Sequence, residues 1–189
     1  MMKNDLRVIK TKKNLYEALI TLMKEKTFEE IKVADICKKA LINRSTFYIH
    51  YQDKYELLYE LINNLKEELK KGIEFKEANL DSREYFFKLI SLFLNHLEKY
   101  QDIYTDILLK NRNSLMMDIL LRVIHDDILE QITKDKLQVK VPKEIISKFY
   151  LGGLVYLVFE WLTNNNKYTK DDILTYLNIL VPNLKNEAL

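Results

Sequence analysis

Apolar residues spaced three and four apart recur along this chain, and little interrupts them, since its 189 residues include only three glycines and two prolines. That spacing puts side chains on one face of a helix, and so few turn residues leave little means of reversing tightly between strands. The expected fold is all-α, with about nine helices: a three-helix front module with helix-turn-helix spacing, a long fourth helix, and a C-terminal helical bundle.

The first amphipathic helix is expected from about Val8 to Lys24, on Leu15, Ala18, Leu19 and Leu22. Val33 to Lys39 and Asn43 to Tyr48 form two short helices joined by Ala40, Leu41 and Ile42, with Asn43 as a capping residue. Asp53 caps a fourth helix that carries Leu58, Ile62, Leu65 and Leu69 and ends near Gly72. Further helices are expected over about Ser82 to Tyr100, Asp102 to Lys110, Ser114 to Thr133, and Pro142 to Asn164, with Pro142 as a first helical residue. Thr169 caps the last, Asp171 to Val181, and Asn164, Asn165 and Asn166 read as the loop before it. No strand alternation or internal repeat is visible.

Charge is divided unevenly. Residues 1–54 carry 12 Lys+Arg against 7 Asp+Glu, whereas residues 55–189 carry 18 against 21. A basic front on an acidic body suits phosphate binding, and the domain boundary is placed there: 1–54 for the helix-turn-helix domain, 55–189 for the C-terminal domain. The one cysteine, Cys37, excludes an intrachain disulfide and a cysteine zinc site and is read as a small buried residue. The first ten residues lack the apolar run of a secretory signal, and the apolar stretch Phe149 to Leu162 falls short of the ~20 residues that span a bilayer. A cytoplasmic protein with no membrane partner is expected. His96 and His125 have no second ligand at a convincing spacing, and no triad, phosphate loop or carboxylate pair appears. No metal, cofactor or enzymatic activity is expected.

The segment KVADICKKALINRSTFYIHYQDKYELL displays Arg44, Ser45, Thr46, Tyr48 and His50 from one short helix, all of them hydrogen-bond donors. A helix of this size fits the major groove of double-stranded DNA; Arg grips guanine through two acceptors, and Ser or Thr serves a base or a phosphate. The starts of the second and fourth helices, near Lys32 and Lys54, are further phosphate anchors through their unpaired amides. Arg7, Lys10, Lys12 and Lys13 form either a basic arm or a solvated tail.

The order Val33, Ile36, Ala40, Asn43, Thr46, Tyr48, His50, Tyr51, Lys54 resembles the signature of TetR-family regulators, from about Leu15 to Leu65. KALINRSTFYIHYQDKYELL, with a late helix that holds two glycines and ends in Trp-Leu, is also similar to a branch that includes regulators of dihydroxyacetone kinase operons. The resemblance implies a DNA-binding homodimer, usually a repressor. In it Arg44 and Ser45 touch bases or phosphates, Thr46, Tyr48 and Lys54 touch phosphates, and Phe47 faces the groove or the helix below; Lys32, Asn43 and His50 complete the set. Tyr51 is read as core, and Tyr48 as either core or phosphate contact. Two departures stand out: Leu41 occupies a turn position often held by Gly, and Lys32 a cap often held by Thr. Leu adopts a left-handed conformation only at a cost, so a differently built turn is expected.

By the same resemblance the eighth and ninth helices pair with their copies in a second subunit through Leu151, Gly152, Leu154, Val155, Val158, Phe159, Leu162, Ile173, Tyr176, Leu177 and Leu180. Phe86, Phe87, Ile90, Phe93, Tyr104, Met116, Met117 and Phe149 serve equally as core or as the lining of a sensing pocket for an unknown small-molecule or protein effector, whose binding tilts the fourth helix. The rival reading is a helical dimeric adaptor that works through a protein partner without binding DNA.

Overall fold

The computed structural model describes residues 2–73, 80–134, 140–164 and 167–181, with side chains from residue 6 onward. Among the described residues there are nine α-helices: α1 Met2–Glu25, α2 Val33–Ala40, α3 Arg44–His50, α4 Lys54–Lys70, α5 Ser82–Lys99, α6 Gln101–Lys110, α7 Leu115–Lys134, α8 Lys143–Thr163 and α9 Lys170–Leu180. The chain forms two compact units, one of Met1–Leu65 with Asp106–Leu120, the other of Lys66–Thr105 with Leu121–Leu189. The first unit therefore combines the front of the chain with the corner between α6 and α7.

In the first unit, Leu15, Leu19, Phe28, Ile31, Ile36, Phe47, Leu57 and Leu58 have at most 1% of their surface exposed. Each such side chain contributes about 1.5–3 kcal/mol by leaving water. Above this core a polar cluster joins α1 to α4. Glu60 accepts from Lys12 Nζ and from Tyr16 Oη, both at 2.7 Å, while Tyr16 Oη accepts from Asn64 at 2.7 Å and from Tyr51 Oη at 3.3 Å. Burial pushes the Tyr16 phenol up to about 12, so it stays a donor at neutral pH. Arg7, Lys10, Lys12 and Lys13 all lie on α1, which begins at Met2, so the expected start at Val8 is corrected and neither alternative, arm or tail, describes these residues.

The corner is stitched to the same unit by polar contacts. Asn111 has no exposed surface; its Nδ2 donates to Met23 O at 3.3 Å and Ile107 O at 2.8 Å, and its Oδ1 accepts the Phe28 amide. Lys110 Nζ caps the end of α1 through Lys24 O and Glu25 O, and Glu29 Oε1 accepts the Leu115 amide at 2.7 Å. Met116 and Met117, grouped with a sensing pocket on the sequence alone, are buried in this unit.

The second unit closes over Leu94, Leu97 and Ile173. Arg83 on α5 donates to Val181 O at 3.0 Å and Asn178 O at 2.8 Å, tying α5 to the end of α9. Asp127 is buried and accepts from Tyr85 Oη at 2.8 Å and Lys70 Nζ at 3.0 Å, with Lys66 Nζ at 3.6 Å, so the end of α4 is held to α5 and α7 by one carboxylate. Gly72 lies against Leu92: a Cβ there would meet its methyl groups at 3.1–3.2 Å. Thr169 caps α9 as expected, with Asp172 accepting its amide in return at 2.9 Å.

Several expectations change in this unit. Pro142 precedes α8 as its cap instead of being its first residue, and α8, at 21 residues, is long and apolar enough to cross a membrane by length and composition. Even so, Ile146, Leu151, Leu154, Val158, Phe159, Trp161 and Leu162 pack inward. Leu151, Leu154, Val158, Phe159, Leu162, Ile173 and Leu177 were expected at a subunit interface, yet they are buried within one chain because they form this unit's own core. Gly152, Tyr176 and Leu180 remain exposed and Val155 half-buried. Phe149, expected in a pocket, is 74% exposed. Of the loop expected at Asn164 to Asn166, Asn165 and Asn166 lie outside the described residues.

Candidate nucleic-acid interface

Leu41 closes α2 in the left-handed region, at φ 57° and ψ 43°. Its amide bonds Lys38 O at 3.4 Å, and the Ile42 amide bonds Cys37 O at 3.0 Å. These are the two bonds of the left-handed helix ending that glycine usually supplies. The expectation of a differently built turn is therefore wrong: the geometry is kept, and the Leu41 side chain stands 91% exposed.

Asn43 occupies the cap position of α3, but its side chain makes no capping bond. At the start of α2, a lysine side chain cannot accept, so Lys32 gives no side-chain cap; Asp35 instead accepts the Lys32 amide at 3.1 Å and Lys26 Nζ at 2.7 Å. These bonds, Lys26 first and the amide second, hold the Asp35 carboxyl below its usual range.

With about 100° between successive residues, α3 sorts its side chains into rows. Phe47 is fully buried and Tyr51, just past the helix, is 2% exposed; together they lock the inner face onto the core. Phe47 is thus removed from the groove-facing set. Opposite them Ser45 and Ile49, four residues apart, form the outer ridge, with Ile49 77% exposed. Arg44 and Tyr48 flank the ridge on one side, Tyr48 half-exposed and edge-on to Phe47 at 5.4 Å. Thr46 and His50, both half-buried, flank it on the other. Arg44 makes no ion pair among the described residues, leaving its guanidinium available to an acceptor outside the chain. Ile49 was missed because an apolar residue in a helix is read as core; the signal was present, since Phe47 and Tyr51 already fill the inner face.

The start of α4 is occupied by the chain itself. Asp53 Oδ1 accepts the Tyr55 and Glu56 amides at 2.8 and 2.9 Å, so these two amides are not free for a phosphate. Lys54 Nζ donates to Phe28 O at 2.8 Å, Glu29 O at 3.0 Å and Ile31 O at 2.8 Å. Cys37 is buried, which pushes its thiol up and makes it a poor nucleophile.

The residues expected around a sensing pocket in the second unit take different places. Phe86 lines a cavity of about 40 Å³ with Arg83, Ile128, Ile146 and Tyr150. Ile90 is core, Phe87 and Phe93 are half-buried, and Tyr104 Oη lies 2.8 Å from His96 Nε2. A larger open groove of about 450 Å³ runs between α7 and α8, lined by Leu121, Arg122, His125, Lys148, Leu151, Gly152 and Val155.

Two family models match the chain. Residues 15–61 match the bacterial regulatory proteins of the tetR family, and residues 84–183 match a transcriptional regulator C-terminal region. A TetR transcriptional regulator structure from Streptococcus agalactiae is 27% identical, with a TM-score of 0.67 over 96% of this chain and 99% of that one. The HTH-type dhaKLM operon transcriptional activator DhaS of Lactococcus lactis is 30% identical over 54% of this chain and 51% of its own length. The HTH-type regulator YxbF of Bacillus subtilis is 30% identical over 35% of this chain. The chain thus spans about half, 51%, and 17% of the lengths of these two curated relatives.

Proposed function

Since the chain belongs to the TetR family of bacterial transcriptional regulators, we propose that it is a homodimer that binds a palindromic double-stranded DNA site and so controls transcription. The observation that carries this reading is the outer face of α3. Ser45 and Ile49 form a ridge between the Arg44–Tyr48 and Thr46–His50 rows, on a helix fixed from beneath by Phe47 and Tyr51. Two such helices, about 34 Å apart, reach successive major grooves on one side of the duplex.

Dimerisation is supported by apolar surface left over in the second unit. Ile145, Phe149 and Tyr156 are 55%, 74% and 65% exposed along α8, and Ile179 and Leu180 are 74% and 67% exposed on α9. Gly152 and Gly153 lie among the α8 residues with open space above them, so another backbone can approach closely. An effector in the second unit has room in the groove between α7 and α8, and it shifts DNA affinity only by favouring one arrangement of the dimer over another.

The test is binding of the purified protein to genomic fragments, including its own upstream region, over a salt series. Recovery of a palindrome whose affinity falls steeply with salt is the expected result. Arg44→Ala is expected to weaken that binding by roughly 1–3 kcal/mol if Arg44 grips a base. An intact dimer that binds no fragment at low salt would favour the adaptor reading. A reporter driven by the recovered promoter then reads whether transcription falls or, as the name of DhaS describes for that protein, rises.

A further inference from the structure

We propose that Lys54 positions the helix-turn-helix and does not contact DNA: its ammonium, bonded to the carbonyl oxygens of Phe28, Glu29 and Ile31, ties the first residue of α4 to the segment leading into α2. The inference rests on the DNA-reading proposal and departs from the phosphate role that the family resemblance implies for this lysine.

An ammonium has three N–H groups. Here three carbonyl oxygens at 2.8–3.0 Å take all of them, and the Phe28 and Tyr55 rings cover the group at 4.7 and 5.4 Å from their centroids. Donating to a phosphate would break at least one of these bonds, of which those to Phe28 O and Ile31 O are part-buried, and loosen the segment they hold. Burial also lowers the Lys54 pKa, as suits a group enclosed by its own chain.

The clamp leads directly to the reading helix. Ile31 is buried, and the next residue, Lys32, opens α2, where Asp35 secures it. From there α2 runs to the Leu41 turn and on into α3. A shift at the Ile31 carbonyl is carried through these elements to Ser45 and Ile49.

The experiment compares Lys54→Met and Lys54→Arg with the unmutated dimer on its recovered DNA site across a salt series. A clamp predicts that both variants lose roughly tenfold in affinity, with the slope of log affinity against log salt unchanged. Arginine keeps the charge but is planar and cannot turn three N–H groups onto these converging oxygens. A phosphate contact predicts the opposite: Lys54→Arg binds like the unmutated protein, and Lys54→Met flattens the slope by about 1.8 for two protomers. That pattern would overturn the proposal.

Should both variants unfold, ¹⁵N spectra of lysine ammonium groups in the unmutated dimer decide. Slow solvent exchange at Lys54 and an unchanged signal on adding DNA support the clamp; fast exchange, or a DNA-induced shift, refutes it. Absence of any DNA binding by the unmutated dimer would overturn the regulator reading and this inference with it.

Discussion

The side-chain carbonyl of Asn111 accepts the main-chain amide of Phe28 at 2.7 Å, joining residues 83 apart in sequence at a point with no exposed surface. The Phe28 carbonyl is held from the other side by Lys54, so both polar groups of one buried residue are fixed by distant side chains. Asn111→Ala strands the Phe28 amide and removes a donor from Met23 O. The expected loss is about 2–3 kcal/mol of stability, read as a lower urea midpoint at unchanged slope.

Leu41→Gly is expected to stabilise the protein by about 0.5–1 kcal/mol, because glycine enters the left-handed region without the clash of a Cβ and offsets part of that gain with its own entropy. The Leu41 side chain is 91% exposed and takes no packing with it when removed. A rise in thermal midpoint checks this. Leu41→Val should lower the midpoint, since a branched Cβ aggravates the same clash.

Ile49 is 77% exposed on the outer ridge of α3, and if that ridge enters the major groove as proposed, its apolar side chain can meet a thymine methyl. Ile49→Ala is expected to weaken operator binding, and replacing the facing thymine by uracil should weaken the unmutated protein to a similar degree. The two changes together should cost little more than either alone. Additive losses in this cycle would show that Ile49 contributes by some other route.

Burial holds the His96 imidazole below its usual pKa, with Nε2 2.8 Å from Tyr104 Oη. The folded protein therefore keeps this ring neutral at a pH where the unfolded chain takes up a proton. Its contribution to stability is complete above the ordinary value of about 6.5 and is lost as pH falls from there through the lowered folded value. Melting curves between about pH 7.5 and pH 5 should show this loss, and His96→Gln should remove that part of the pH dependence.

Phe149→Asp sets a charge on the exposed α8 row without disturbing the core, because Phe149 is 74% exposed. Sedimentation is expected to show monomers, with DNA affinity falling as the paired heads are lost. A variant that stays dimeric and binds DNA normally would place the interface elsewhere.

Helix positions were largely legible in the sequence, because Leu15, Leu19, Phe47 and Leu58 carry their spacing openly and Asp53 and Thr169 announce starts. The face of α8 was not. Its apolar residues surround the helix, so periodicity could not distinguish Leu151 and Val158, which turn inward, from Phe149 and Tyr156, which do not. The acceptors of Lys54 are main-chain carbonyls, which leave no trace in residue identity, and the pairing of Asn111 with Phe28 depends on tertiary contact. Leu41 misled because local preference yielded to a turn that the surrounding helices impose.

The first unit is assembled from two stretches of chain separated by forty residues. A fragment ending at Leu65 would strip Lys110 from the last carbonyls of α1 and leave the Phe28 amide with no acceptor. The DNA-reading head is therefore not a detachable cassette. A chimaera that grafts it onto another C-terminal body has to bring Asp106–Leu120 along, or supply a corner that makes the same bonds.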